Sequence, residues 1–141
     1  MSPSCSRVLA LCGGLTLAWA SPTFAGSARV DYMVECQGCH LADGSGSPRG
    51  VPALGDFVAR FLTVEGGRAF LVQVPGSATS SLSDARLAAV LNWMLLEFGP
   101  REIAEAAAPY SEAEVSRLRA DPLTDVEGAR AALVARIEAQ P

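Results

Sequence analysis

Lysine is absent from this chain of 141 residues, and histidine occurs once, at position 40. All 11 basic residues are arginines, set against 15 acidic ones for a net charge of −4. So acidic a balance argues against nucleic acid as a partner. Long apolar runs are missing as well. The longest, "VLALCGGLTLAWA" at 8–20, has thirteen residues, where a membrane-spanning helix needs about 20. Cysteine is scarce, with Cys5 and Cys12 near the start and Cys36 and Cys39 further on.

The apolar run has the marks of a secretory leader. Arg7 precedes it, and "SPTFA" follows with small residues at Thr23 and Ala25, which predicts cleavage after Ala25. The chain then divides into a leader at 1–25, a first domain at 26–99 and a C-terminal extension at 100–141. Loss of the leader removes Cys5, Cys12 and Arg7, so the mature chain is more acidic still. It retains only Cys36 and Cys39, too few for a disulfide framework. The mature protein is expected to be exported and periplasmic, without a transmembrane segment.

What remains is concentrated in "CQGCH" at 36–40, where both cysteines and the one histidine stand together. A closed zinc site needs four ligands and finds three here unless a carboxylate joins them. A thioredoxin-like redox pair needs a βαβ setting, and nothing in this sequence alternates strand with helix. Covalent haem attachment uses all three residues. Thiols at i and i+3 meet the two vinyl groups of the porphyrin, and the next residue places an imidazole under the iron. Export agrees, because bacteria attach c-type haem outside the cytoplasm.

Further along, "DGSG" at 43–46 is followed by "PAL" at 52–54, with Pro52 twelve residues after His40. In these features the chain resembles the class I (monohaem) c-type cytochromes, over about residues 28–98. The resemblance implies an all-α fold with one covalently attached haem c, held by Cys36 and Cys39, and with His40 as proximal iron ligand. It also implies that the Pro52 carbonyl accepts the Nδ1 hydrogen of His40, which sets the tautomer and raises ligand basicity.

The flanking segments agree with that fold. "ARVDYMVEC" reads as a short first helix, with Tyr32 where the family has a helix-packing aromatic. The best helical signal follows Ser83, an N-cap with Asp84 in the first turn and Leu82 facing Leu87 as a hydrophobic staple. Leu87, Val90, Leu91, Met94, Leu95 and Phe98 then recur at helical spacing, and Gly99-Pro100 ends the run. Ala28, Tyr32, Val90 and Trp93 are expected to form the crossing of the first and last helices. Two short helices are predicted between them, at 56–62 and 66–74. Their Arg60 and Arg68 are candidates to pair with the haem propionates, against the plain reading of both as solvated surface charges.

The chain departs from the family in one place. Class I cytochromes usually bring a distal methionine from the loop before the last helix, and here that loop reads "VPGSATSSLSD". Met33 leads to the proximal side, which leaves Met94 as the thioether candidate. The alternatives are Met94 as distal ligand, or a distal face that is empty, water-filled or held by a weak ligand such as Asn92.

After Pro100 two capped segments are legible. Ser111 with Glu114 forms a capping box with a Tyr110–Val115 staple, and Thr124 with Glu127 opens the second. The second carries Val126, Ala129, Leu133 and Ile137 on one face, so both are expected to pack on the core, with a partner-binding arm as the alternative. The chain as a whole reads as a non-enzymatic carrier of single electrons. Its partners are redox proteins, expected to dock through a basic patch and less tightly in high salt. Two other readings stay open: a haem protein whose open distal site binds small ligands, and a cytochrome subunit of a dehydrogenase complex.

Overall fold

A computed structural model describes residues 25–47 and 50–140, with side chains from Ala28 onward. The expected leader lies outside the described residues apart from Ala25, and the first described helix is α1 (Ala25–Glu35). It is followed by α2 (Gln37–His40), a 3₁₀ helix (Val58–Thr63), α3 (Gly67–Gln73), α4 (Pro75–Ala78) and α5 (Asp84–Phe98). The extension supplies α6 (Arg101–Ala106), α7 (Glu112–Arg119) and α8 (Val126–Glu138). The described residues form no strand beyond an isolated bridge between Ser47 and Val51, and the all-α expectation holds.

The expected crossing of α1 and α5 is the frame of the molecule. Ala28, Tyr32 and Val90 are fully buried there. The Tyr32 ring lies 5.1 Å from Trp93 and 5.3 Å from Phe98, a tilted aromatic cluster of a kind that stabilises beyond its buried area. Asp31, buried on α1, is held by the guanidinium of Arg86 on α5, with Nε donating to Oδ2 at 2.9 Å. A buried carboxylate needs such a partner. Ser83 caps α5 as expected, its hydroxyl accepting from the Arg86 amide at 3.3 Å.

The short helix expected at 56–62 is present as the 3₁₀ helix Val58–Thr63. α5 ends at Gly99 as expected, with φ −84° at that residue. A Cβ at that position would stand 2.6 Å from the Ala59 Cβ, so glycine serves the close approach of the 3₁₀ helix. The cap of α8 is Asp125, one residue later than Thr124, with its carboxylate accepting from the Gly128 amide at 2.9 Å.

The extension packs into the same core as the cytochrome-like part. Tyr110, Val115, Leu133 and Ile137 are all buried in it. Arg68 on α3 grips this tail, donating to both Glu114 oxygens at 2.9 and 2.7 Å and to the Ala108 carbonyl at 2.7 Å. Its guanidinium also lies 4.1 Å over the Tyr110 ring. That ion pair holds the Glu114 carboxyl below its usual range. The side-chain amide of Asn92 pairs with the Tyr110 backbone as a strand would, accepting at 2.7 Å and donating at 3.0 Å.

Candidate functional site

The motif residues are brought together by a short chain reversal. Cys36 follows α1, and the α2 turn carries Cys39 and His40. The amides of Cys39 and His40 both donate to the Cys36 carbonyl. The Tyr32 hydroxyl donates to the Leu41 carbonyl at 2.7 Å, tying the end of the motif to the α1–α5 crossing. Burial first, then the nearby Cys36 and Asp43, push the Tyr32 hydroxyl up to about 12, so it remains a donor at neutral pH.

The loop from His40 to Pro52 closes on glycine. The Gly46 amide donates to the His40 carbonyl at 3.1 Å, and Gly46 has φ +80°. A Cβ there would stand 2.4 Å from the Val51 carbonyl oxygen, so no other residue fits without displacing the backbone. The spacing of "DGSG" and Pro52 thereby becomes a geometry, with Pro52 and His40 lining the same cavity.

That cavity has a volume of about 410 Å³, within the range of roughly 300–1,000 Å³ usual for cofactor sites. Cys36, Cys39 and His40 are all part of its lining. Leu71, Val74, Leu87, Leu91 and Met94 are among the apolar residues that complete it. Both cysteines are free thiols. Burial, aided by Glu35 and Asp31, pushes the Cys36 thiol up to about 11. His40 Nδ1 is buried without an oriented hydrogen bond. Burial holds the ring below its usual pKa, while the Pro52 carbonyl partly offsets this.

These features fit a haem better than a bare metal ion. Among the described residues no group of three or more His, Cys, Asp or Glu side chains is placed to hold an ion. A flat apolar group with two attachment points would instead use the thiols, the imidazole and the apolar walls together.

Two sequence-based candidates are not at the cavity. Arg68 is engaged with the tail as described, and Arg60 is exposed with its Nε on the Asp56 carbonyl at 3.0 Å. Asn92 is likewise committed to Tyr110 and is no distal ligand. Met94 does line the cavity and is 8% exposed. Reasoning from sequence missed Arg130, which lines the cavity from α8 together with Val126, its guanidinium 5.9 Å from the Phe57 ring centre. Its position one turn after Val126, on the apolar face of a tail helix, was the available signal.

Comparison with known proteins agrees with this geometry. The chain is 33% identical over 132 residues to a cytochrome c-552 of Thermus thermophilus, spanning 81% of this chain and 84% of that protein. The chain belongs to the class I c-type cytochromes. A second cytochrome c-552 from Thermus thermophilus is 33% identical over 108 residues, covering 64% of this chain and 82% of its own. No family model and no solved structure matches. As a c-type cytochrome the protein is an electron carrier with haem as its cofactor. No helix among the described residues is long and apolar enough to cross a membrane.

Proposed function

We propose that this cytochrome is exported, with residues 1–25 removed, and carries single electrons between periplasmic redox partners through one covalently attached haem. The observation that carries this reading is the meeting of Cys36, Cys39 and His40 at one apolar cavity. Cys36 and Cys39 tether the group, His40 ligates the iron, and the Pro52 carbonyl orients the imidazole. Arg130, which lines the cavity where Arg68 does not, would be the guanidinium candidate to pair with a propionate. Bound there, the haem supplies an iron that changes valence by one electron. The apolar walls exclude water and favour the less charged, reduced state. No substrate is transformed, and no catalytic residue is assigned.

The acidic, lysine-free surface supports partners that present a basic patch, with association weakened by salt. Intact mass of protein recovered from the periplasm is expected to show loss of the leader and the gain of one haem. A processed chain bearing a disulfide or zinc in place of haem would end this reading.

A second reading, that the iron also takes up small ligands, is favoured by the position of Met94. It is the one thioether among the residues lining the cavity, and it sits on α5 beside Trp93, which packs at the helix crossing. A side chain so fixed has less reach than one on a loop. The reduced protein is therefore expected to bind carbon monoxide rapidly and nearly completely, as followed by the Soret band. Slow or negligible uptake, with a near-infrared sulfur-to-iron band that Met94→Ala abolishes, would establish Met94 as the distal ligand and return a six-coordinate carrier.

A further inference from the structure

The segment that replaces the usual methionine loop is short, and its residues Ser77, Ser80 and Leu82 line the cavity. Between the end of α4 and the start of α5 it has no regular structure. A guanidinium from the extension holds it in place. Arg119, at the end of α7, donates from Nε and Nη2 to the Ala78 carbonyl at 3.2 and 3.1 Å. Nη2 also donates to the Ser80 carbonyl at 2.8 Å. Nη1 donates to the Leu82 carbonyl at 2.8 Å and to Asp84 Oδ1 at 2.9 Å. All five N–H groups of the guanidinium are thus used on one stretch of seven residues, and the side chain is only 17% exposed. The three carbonyls come from residues 78, 80 and 82, the first at the end of α4 and the other two in the link to α5. The Asp84 carboxyl is held below its usual range, first by this bond to Arg119.

We propose that Arg119 is a positioning residue for the haem cavity, through which the C-terminal extension holds the wall at 78–84 closed. The inference rests on the haem reading above. Residues 79–83 of this wall belong to no helix or strand, and a rigid five-donor fork bridges four acceptors across them at once. Lysine cannot, having three donors on a flexible stem. Loosening the wall admits water beside the haem, and a wetter surrounding favours the more highly charged oxidised state. The extension therefore tunes the reduction potential and the access of small molecules, in addition to its packing role.

The test uses the full-length, haem-loaded protein and compares Arg119→Ala and Arg119→Lys with the wild type. Three quantities are measured: the reduction potential by spectroelectrochemical titration, the rate of carbon monoxide binding to the reduced form, and amide hydrogen exchange across 76–84. Both variants are expected to show a lower potential, several-fold faster carbon monoxide binding and faster exchange confined to that segment, with lysine intermediate. Ile103→Ala is the control, because it loosens the packing of α6, which supplies no residue to the cavity lining. If Ile103→Ala moves the potential as far as Arg119→Lys does, or if neither Arg119 variant moves it, Arg119 is a stabilising contact only and the proposal is overturned. Should Arg119→Ala fail to accumulate with haem, Arg119→Lys carries the comparison. A wild-type protein without haem would defeat the underlying reading instead, and is recognised before any variant is compared.

Discussion

Replacing His40 by alanine is expected to abolish the haem-bearing protein, leaving processed chain that stains for protein and not for covalent haem after denaturing electrophoresis. The effect is large because the imidazole has no substitute. It is the one histidine of the chain, it stands on the cavity beside both thiols, and no lysine exists to replace it. Without an axial bond, two thioethers alone must hold a porphyrin in a pocket shaped for a ligated one. Cys39→Ala is expected to cut holoprotein yield sharply as well, whereas Pro52→Ala keeps a backbone carbonyl at that position and should retain the haem spectrum with reduced thermal stability. Full covalent loading of the His40→Ala protein with an unaltered spectrum would remove His40 from the site.

Ending the chain after Pro100 is expected to leave no cooperative thermal transition at the wild-type temperature. The loss takes four side chains from the core, Tyr110, Val115, Leu133 and Ile137, with Val115 at 0% exposure. Burial of an apolar side chain contributes about 1.5–3 kcal/mol, so four contribute on the order of 6–12 kcal/mol. A domain has only about 5–15 kcal/mol of net stability. The bidentate Arg68–Glu114 pair, the Asn92–Tyr110 pairing and the Arg119 bonds go with them. Leu133→Ala alone should cost roughly 2–5 kcal/mol, measurable by denaturant titration of the holoprotein. A truncated holoprotein with an unchanged melting temperature but weakened affinity for a redox partner would make the extension a docking arm.

The site residues were legible because covalent chemistry and tight turns act at short range. Two thiols at i and i+3 with an imidazole at the next position specify their relation through one helical turn, whatever surrounds them. The "DGSG" turn and Pro52 were equally legible, because a backbone with φ +80° at Gly46 and a carbonyl 2.4 Å from a would-be Cβ leaves a local mark in the sequence. The helix crossing could be read from period and residue size, since Ala28, Tyr32, Val90 and Trp93 obey a spacing of one face per turn. Ser83 and Ser111 announced their helices because a cap satisfies amides only two or three residues away.

The arginines were not legible, and the reason is their reach. Arg68, Arg119 and Arg130 look alike as sequence, yet one grips Glu114, one holds carbonyls about 40 residues away in the chain and one lines the cavity. A long side chain with five donors finds its partners through tertiary proximity, which no local pattern records. The α6 helix went unseen for a related reason: Pro100 offers no side-chain cap and no residue of the helix is fully buried, so neither capping nor periodicity marks it. By itself the sequence determined the meeting of Cys36, Cys39 and His40, the turn behind them and the crossing of the α1 and α5 helices, all consequences of contacts within a few residues or of helical period. Only the tertiary structure decided that Arg68 and Asn92 serve the tail, that Arg130 faces the cavity, and that Arg119 holds the wall where the usual methionine loop is missing, because each depends on which distant backbone a flexible side chain meets.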